Sequence, residues 1–131
     1  MAPKAPLILL IDDNKEFLEI FGDKLGTKGY AVVKAQGGEE GLEQVTKVKP
    51  SLVLLDLEMP GENGFEVLSR IQKEIGGGKT RVVFLTNYGE PEGEHAAIDK
   101  KYAIDVGAVD YIRKSDDLDS VVSQVEDILA A

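Results

Sequence analysis

The sequence predicts an α/β domain built on a parallel β-sheet, and three observations carry the prediction. Short, wholly apolar runs recur, as at Leu7–Ile11, Leu52–Leu55 and Val82–Leu85, and strands apolar on both faces belong inside a parallel sheet. Between such runs stand segments whose apolar residues repeat every three or four positions, the period of an amphipathic helix. The two patterns alternate to give five strand–helix pairs. Such an alternation yields a sheet covered on both faces, because each crossover is right-handed.

The first strand, Leu7 to Ile11, leads into a helix from about Asn14 to Lys28 with Phe17, Leu18, Phe21 and Leu25 on one stripe. Gly29 is its stop signal. A short strand follows at Ala31 to Ala35, then a helix from about Gly38 to Thr46 with Leu42 and Val45 inward, and Pro50 closes that connection. Leu52 to Asp56 is the third strand, and Pro60-Gly61 throws the chain into a surface loop. The next helix, from about Gly64 to Glu74, carries Val67, Leu68, Ile71 and Ile75 at helical spacing and breaks at Gly76-Gly77-Gly78. Arg81 to Thr86 is the fourth strand. Asn87 to Gly93 has loop chemistry, and a helix is expected over Glu94 to Val106, ended by Gly107. Tyr111-Ile112 is a short fifth strand. The last helix starts near Asp117, where Leu118, Val121, Val122, Val125, Ile128 and Leu129 fit the i, i+3, i+4, i+7 template.

At 131 residues the chain is expected to form one domain over residues 1–131, with a core from about residue 7 to 129. Cysteine is absent, which excludes disulfides and thiolate metal sites. The net charge of −9, from 24 acidic against 15 basic residues, argues against direct nucleic-acid or membrane-surface binding. No apolar stretch approaches the roughly 20 residues of a membrane helix. The start, Met1 to Pro6, lacks the apolar centre of a signal peptide, so a cytoplasmic location is expected.

Chemistry-bearing residues collect at the strand ends. Asp12 and Asp13 follow the first strand, Asp56 ends the third, Thr86 ends the fourth and Lys114 follows the fifth. The carboxyl edge is where open α/β sheets place their ligands. Carboxylates gathered there repel one another unless a cation lies between them. Hard oxygen donors in a small cluster suit Mg²⁺, which shares its ligands readily with a phosphate. A metal, an ammonium and a hydroxyl are the groups that hold charge on a phosphoryl group in transfer. An aspartate beside them is a competent nucleophile towards phosphorus.

Five pieces in order carry a resemblance: Ile11-Asp12-Asp13-Asn14; Ala35 through Leu42; Leu54-Leu55-Asp56 through Gly64; Phe84-Leu85-Thr86; and Gly107 through Lys114. On these the chain resembles the receiver domains of bacterial response regulators in two-component signalling, chemotaxis regulators among them. The resemblance implies a flavodoxin-like five-stranded parallel sheet in the order 2-1-3-4-5. It implies that Asp56 accepts a phosphoryl group from a sensor histidine kinase or a histidine phosphotransfer protein. Asp12, Asp13, Asp56 and the backbone carbonyl of Glu58 would hold Mg²⁺, and Thr86 and Lys114 would contact phosphoryl oxygens. Thr86 and Tyr111 would act as the switch that repacks the face made by the fourth helix, fifth strand and fifth helix for a downstream protein. Self-phosphorylation and self-dephosphorylation would be its only catalysis.

Each residue has a plainer explanation. Asp12 or Asp13 alone reads as a turn former or helix cap, Thr86 as a strand residue, Lys114 as a surface lysine and Tyr111 as a core-edge aromatic. His95, the only histidine, reads as surface. Gly78-Lys79-Thr80 imitates the end of a P-loop, but the required first glycine falls at Lys73 and the tripeptide precedes a strand. Ser115 stands where the family usually has proline, and 28 positions separate Thr86 from Lys114, more than expected, with the excess around Gly89 to Lys101. Glu58 and Tyr88 are expected to flank the path of the hydrolytic water. A function of a different class is a small Mg²⁺ phosphatase with an aspartyl-phosphate intermediate, but Glu58 stands where such enzymes carry an acidic Asp. The same residues also admit a receiver unit of a longer regulator or hybrid kinase. A pseudo-receiver that binds partners without phosphorylation is disfavoured, because all five site residues are kept.

Overall fold

The computed structural model describes residues 6–75, 80–86, 101–114 and 117–131, with Ile75 described by its backbone only. The elements are β1 (Leu7–Ile11), α1 (Lys15–Thr27), β2 (Ala31–Ala35), α2 (Gly38–Val48), β3 (Leu52–Asp56), α3 (Gly64–Ile75) and β4 (Arg81–Thr86). A helical stretch at residues 101–105 (α4), then β5 (Asp110–Arg113) and α5 (Leu118–Ala130), complete them. The five strands pair in parallel in the order β2-β1-β3-β4-β5. This is the predicted sheet.

The pleat sorts the apolar runs onto two faces, since successive side chains on a strand point opposite ways. Leu9, Ile11, Val53, Leu55, Val82, Phe84 and Tyr111 face α2, α3 and α4, where they meet Leu42, Val45, Val67, Leu68, Ile71 and Ala103. Ile8, Leu10, Leu52, Leu54, Val83, Leu85 and Ile112 face α1 and α5, against Leu18, Phe21, Leu25, Val121, Val122 and Val125. Burying one such side chain contributes roughly 1.5–3 kcal/mol.

The helix termini position the carboxyl-edge loops. Asn14 starts α1 by accepting the Phe17 N–H at 3.1 Å, and Asp117 starts α5 by accepting from Asp119 and Ser120. Gly37 has no side chain to cap α2, so the Glu62 carboxylate reaches across from the β3–α3 loop and accepts the Gly38 N–H at 2.9 and 3.0 Å. The α4 stretch is followed by a turn at Val106-Gly107, and the Gly107 φ of +113° belongs to glycine. Gln72 of α3 donates there to the Val106 carbonyl at 3.1 Å.

Two elements run longer than the periodicity predicts. The second helix continues past Thr46 to Val48, and Lys49 closes it in a left-handed conformation with φ 48°. The fifth strand extends to Asp110–Arg113, because those polar residues pair with Val83 through Thr86. Thr80 donates to the Pro50 carbonyl at 2.6 Å at the amino edge of the sheet, opposite the acidic cluster, in keeping with rejection of the P-loop. The Asn87–Gly93 loop, the start of the fourth helix, Tyr88, His95, Gly76–Lys79 and Ser115 lie outside the described residues. Among the described residues no helix is long and apolar enough to cross a membrane.

Candidate functional site

Strand register brings the nominated residues together. Ile11 pairs with Leu55, Asp56 with Leu85, and Thr86 with Arg113, so Asp12, Asp56, Thr86 and Lys114 stand at one end of four adjacent strands. The buried polar and charged residues among those described are Asp12, Asp56 and Thr86, and all of them are at this edge. Buried charge survives in a fold only when it is paired, hydrogen-bonded or ligated. The alternation that sends Leu54 and Ile112 towards α1 and α5 continues into the edge and puts Asp12, Asp56 and Lys114 on that same side. Thr86 lies on the other side, with Tyr111.

Both buried aspartates use one oxygen for a turn. Asp12 Oδ1 accepts from the Asn14 N–H at 2.9 Å, and Asp56 Oδ1 accepts from the Glu58 N–H at 3.0 Å. The turn-forming explanation is therefore true of Asp12, Asp56 bonds its own turn in the same way, and each keeps its second oxygen for the site. Asp12 Oδ2 accepts from the Lys114 ammonium, and Asp56 Oδ2 lies 3.7 Å from it. Asp13 is exposed at the mouth. One oxygen from each of Asp12, Asp13 and Asp56 lies within 4.8 Å of the others. Burial pushes the Asp56 carboxyl up to about 6; its hydrogen bond from the Glu58 N–H and the Lys114 charge pull it down, and Asp12 pushes it up further.

Three carboxylates against one buried ammonium leave negative charge over, and oxygen donors alone suit a hard divalent cation. The donor set fits Mg²⁺. On the other side of the edge, Thr86 Oγ1 donates to Glu58 Oε1 at 2.8 Å. Tyr111 is buried, its ring 6.4 Å from Phe84, which in turn meets Phe65 at 5.2 Å; Phe65 meets Tyr102 of α4 at 4.7 Å.

Two residues at the site are not singled out by motif. Glu62, which caps α2, acts on a backbone group 24 positions away, a separation no local pattern reveals. Phe17 reads from its spacing as a core residue, yet its ring face lies 4.1 Å from the Lys114 ammonium. Its position one turn beyond Asp13 is the only signal available in the sequence.

Fold and edge together define a class, the open α/β domains that gather a ligand or ion outside the carboxyl ends of their strands. Comparison with known proteins names the member. The chain belongs to the response regulator receiver domain family, matching it over residues 8–126. It is 31% identical over 122 residues to sporulation initiation phosphotransferase F of Bacillus subtilis, covering 93% of this chain and 92% of that one. It is 33% identical to the transcriptional regulatory protein DltR of Streptococcus agalactiae over 90% of this chain, but spans only 49% of that regulator. Among solved structures, a CheY-like receiver domain from Methanospirillum hungatei superposes with a TM-score of 0.80 at 25% identity, over 96% of this chain and 94% of that one. A LuxR-family two-component response regulator from Aurantimonas gives a TM-score of 0.80 at 30% identity, over 96% and 86%. Receiver domains typically bind Mg²⁺ at an acidic cluster of this kind, and they accept phosphate from histidine kinases or phosphotransfer proteins.

Proposed function

We propose that residues 1–131 act as a single receiver unit that takes a phosphoryl group onto Asp56. The observation that carries this is the placement of Asp56 Oδ2, 3.7 Å from the Lys114 ammonium and within the acidic cluster, at a carboxyl edge. The donor is a phosphohistidine on a kinase or phosphotransfer protein. Asp56 Oδ2 forms the new O–P bond as the P–N bond breaks, and the imidazole leaves with the electron pair. Asp12, Asp13, Asp56 and the Glu58 carbonyl are the groups to hold Mg²⁺, which supplies charge neutralisation at the phosphoryl oxygens. Lys114 neutralises a further oxygen.

The switch follows from Thr86. Its hydroxyl is engaged by Glu58 at 2.8 Å, and a phosphoryl group on Asp56 would bring further charged acceptor oxygens to the same strand edge, in competition with Glu58. Moving Thr86 off Glu58 opens space on the side of the sheet that Tyr111 occupies, so the phosphorylated form favours a second packing of α4, β5 and α5. That face then engages a downstream protein. The coverage of the phosphotransferase relative supports a relay component, while the longer transcriptional regulators support a receiver unit of a larger regulator.

The test is intact-mass measurement after incubation with acetyl phosphate and Mg²⁺. Wild type gains the mass of one phosphoryl group and chelator prevents the gain. An unmodified wild-type mass under these conditions, with phosphohistidine donor also inactive, overturns the proposal.

A further inference from the structure

We propose that Phe17 is a positioning residue for phosphoryl transfer, holding the Lys114 ammonium against the acidic cluster through its ring face. This rests on the phosphoacceptor reading above and goes beyond it, because that reading gives Phe17 no part. Lys114 sits on a long, flexible stem that must leave β5 and cross the edge to reach Asp12 and Asp56. Its side chain is 7% exposed, so something encloses it. Asp12 accepts a hydrogen bond from the ammonium, Asp56 Oδ2 lies 3.7 Å away, and the Phe17 ring closes another side at 4.1 Å. A cation over an aromatic face at this distance is attracted by the ring quadrupole, more strongly when desolvated.

The ring is itself held. Phe17 stacks on Phe21 with centroids 5.2 Å apart and planes 13° from parallel, and Phe21 is fully buried between α1 and the sheet. The Phe17 backbone N–H is the one that Asn14 caps. The first turn of α1 therefore fixes the ring, and the ring fixes the ammonium, on the side of the sheet that carries Asp12 and Asp56. An aromatic face does this without adding a negative charge to a site already crowded with carboxylates. It also engages no further carboxylate oxygen of the cluster.

The experiment compares wild type with Phe17→Leu and Phe17→Tyr. In the metal-free protein, NMR of the lysine ε-methylene groups should place Lys114, assigned with Lys114→Arg, upfield of the other lysines through the ring current. Phe17→Leu should return it to the ordinary position, and Phe17→Tyr should not. With acetyl phosphate and Mg²⁺, Phe17→Leu should be labelled roughly 3- to 10-fold more slowly, and Phe17→Tyr within about twofold of wild type. An unshifted wild-type Lys114 signal, a Phe17→Leu rate equal to wild type, or a Phe17→Tyr rate as low as that of Phe17→Leu overturns the proposal. Failure of wild type itself to be labelled is a different result: it removes the phosphoacceptor reading and this inference with it.

Discussion

Replacing Asp56 by Asn should stabilise the metal-free protein, although it removes the residue on which the proposed chemistry depends. Asp56 is 4% exposed and its carboxyl is raised from 3.8 to about 6, chiefly by burial. The folded state therefore holds the proton more tightly than the unfolded chain does. Well below pH 3.8 both states are protonated and the group contributes no penalty; the penalty builds as pH rises from 3.8 to about 6, where the unfolded chain ionises before the folded state does, and is complete above that window. At about 1.4 kcal/mol for each tenfold change in acidity, the penalty at pH 7.5 is about 3 kcal/mol. Asn keeps the oxygen that accepts the Glu58 N–H, but it sets an amide NH₂ near Lys114, so a net gain of roughly 1–3 kcal/mol is expected. Urea unfolding in chelator at pH 7.5 and pH 5 measures it. The variant should exceed wild type at pH 7.5, and the gap should narrow at pH 5. A variant less stable than wild type at pH 7.5, or a gap independent of pH, refutes the electrostatic reasoning.

Other expectations follow from the same geometry. Mg²⁺ should raise wild-type stability by about 2.7 kcal/mol at a free concentration 100 times its Kd, and Asp13→Ala, which removes the exposed carboxylate of the proposed metal site, should abolish most of that gain in urea titrations. Gly107→Ala should cost roughly 1–3 kcal/mol, read from the urea midpoint, because φ is +113° and a Cβ there would lie 2.0 Å from Gln72 Nε2. Glu58→Ala frees the Thr86 hydroxyl from its 2.8 Å partner, and the phosphorylated form should then decay at a rate at least about twofold different from wild type, followed by loss of the mass increment. An unchanged rate removes Glu58 from control of the phosphate's lifetime.

The sheet was legible because its inner strands are apolar at every position, as in Leu52–Leu55, and each run ends at an aspartate, a threonine or a Pro-Gly turn. The outermost strand was legible only in part. Asp110 and Arg113 are polar at an edge, where the backbone pairs without demanding apolar side chains, so only Tyr111-Ile112 stood out. The last turn of α2 was hidden for a similar reason: the apolar period stops at Val45, and the closing residue, Lys49, adopts a conformation that glycine usually marks. At the site, the strand-end rule located Asp12, Asp56, Thr86 and Lys114. It could not reveal that Lys114 folds back onto Asp12 and Phe17, or that Glu62 caps a helix, since those contacts close 102, 97 and 24 positions apart.

The central claim is that the Asp56 carboxylate itself becomes esterified. Borohydride cleaves an aspartyl phosphate reductively, leaving homoserine, and peptide sequencing by mass spectrometry then locates it. Treatment of protein incubated with phosphoryl donor and Mg²⁺ should convert residue 56 to homoserine, and omission of donor should leave it as aspartate. Homoserine at Asp12 or Asp13 with residue 56 intact, or no conversion in protein that has gained a phosphoryl mass, contradicts the account.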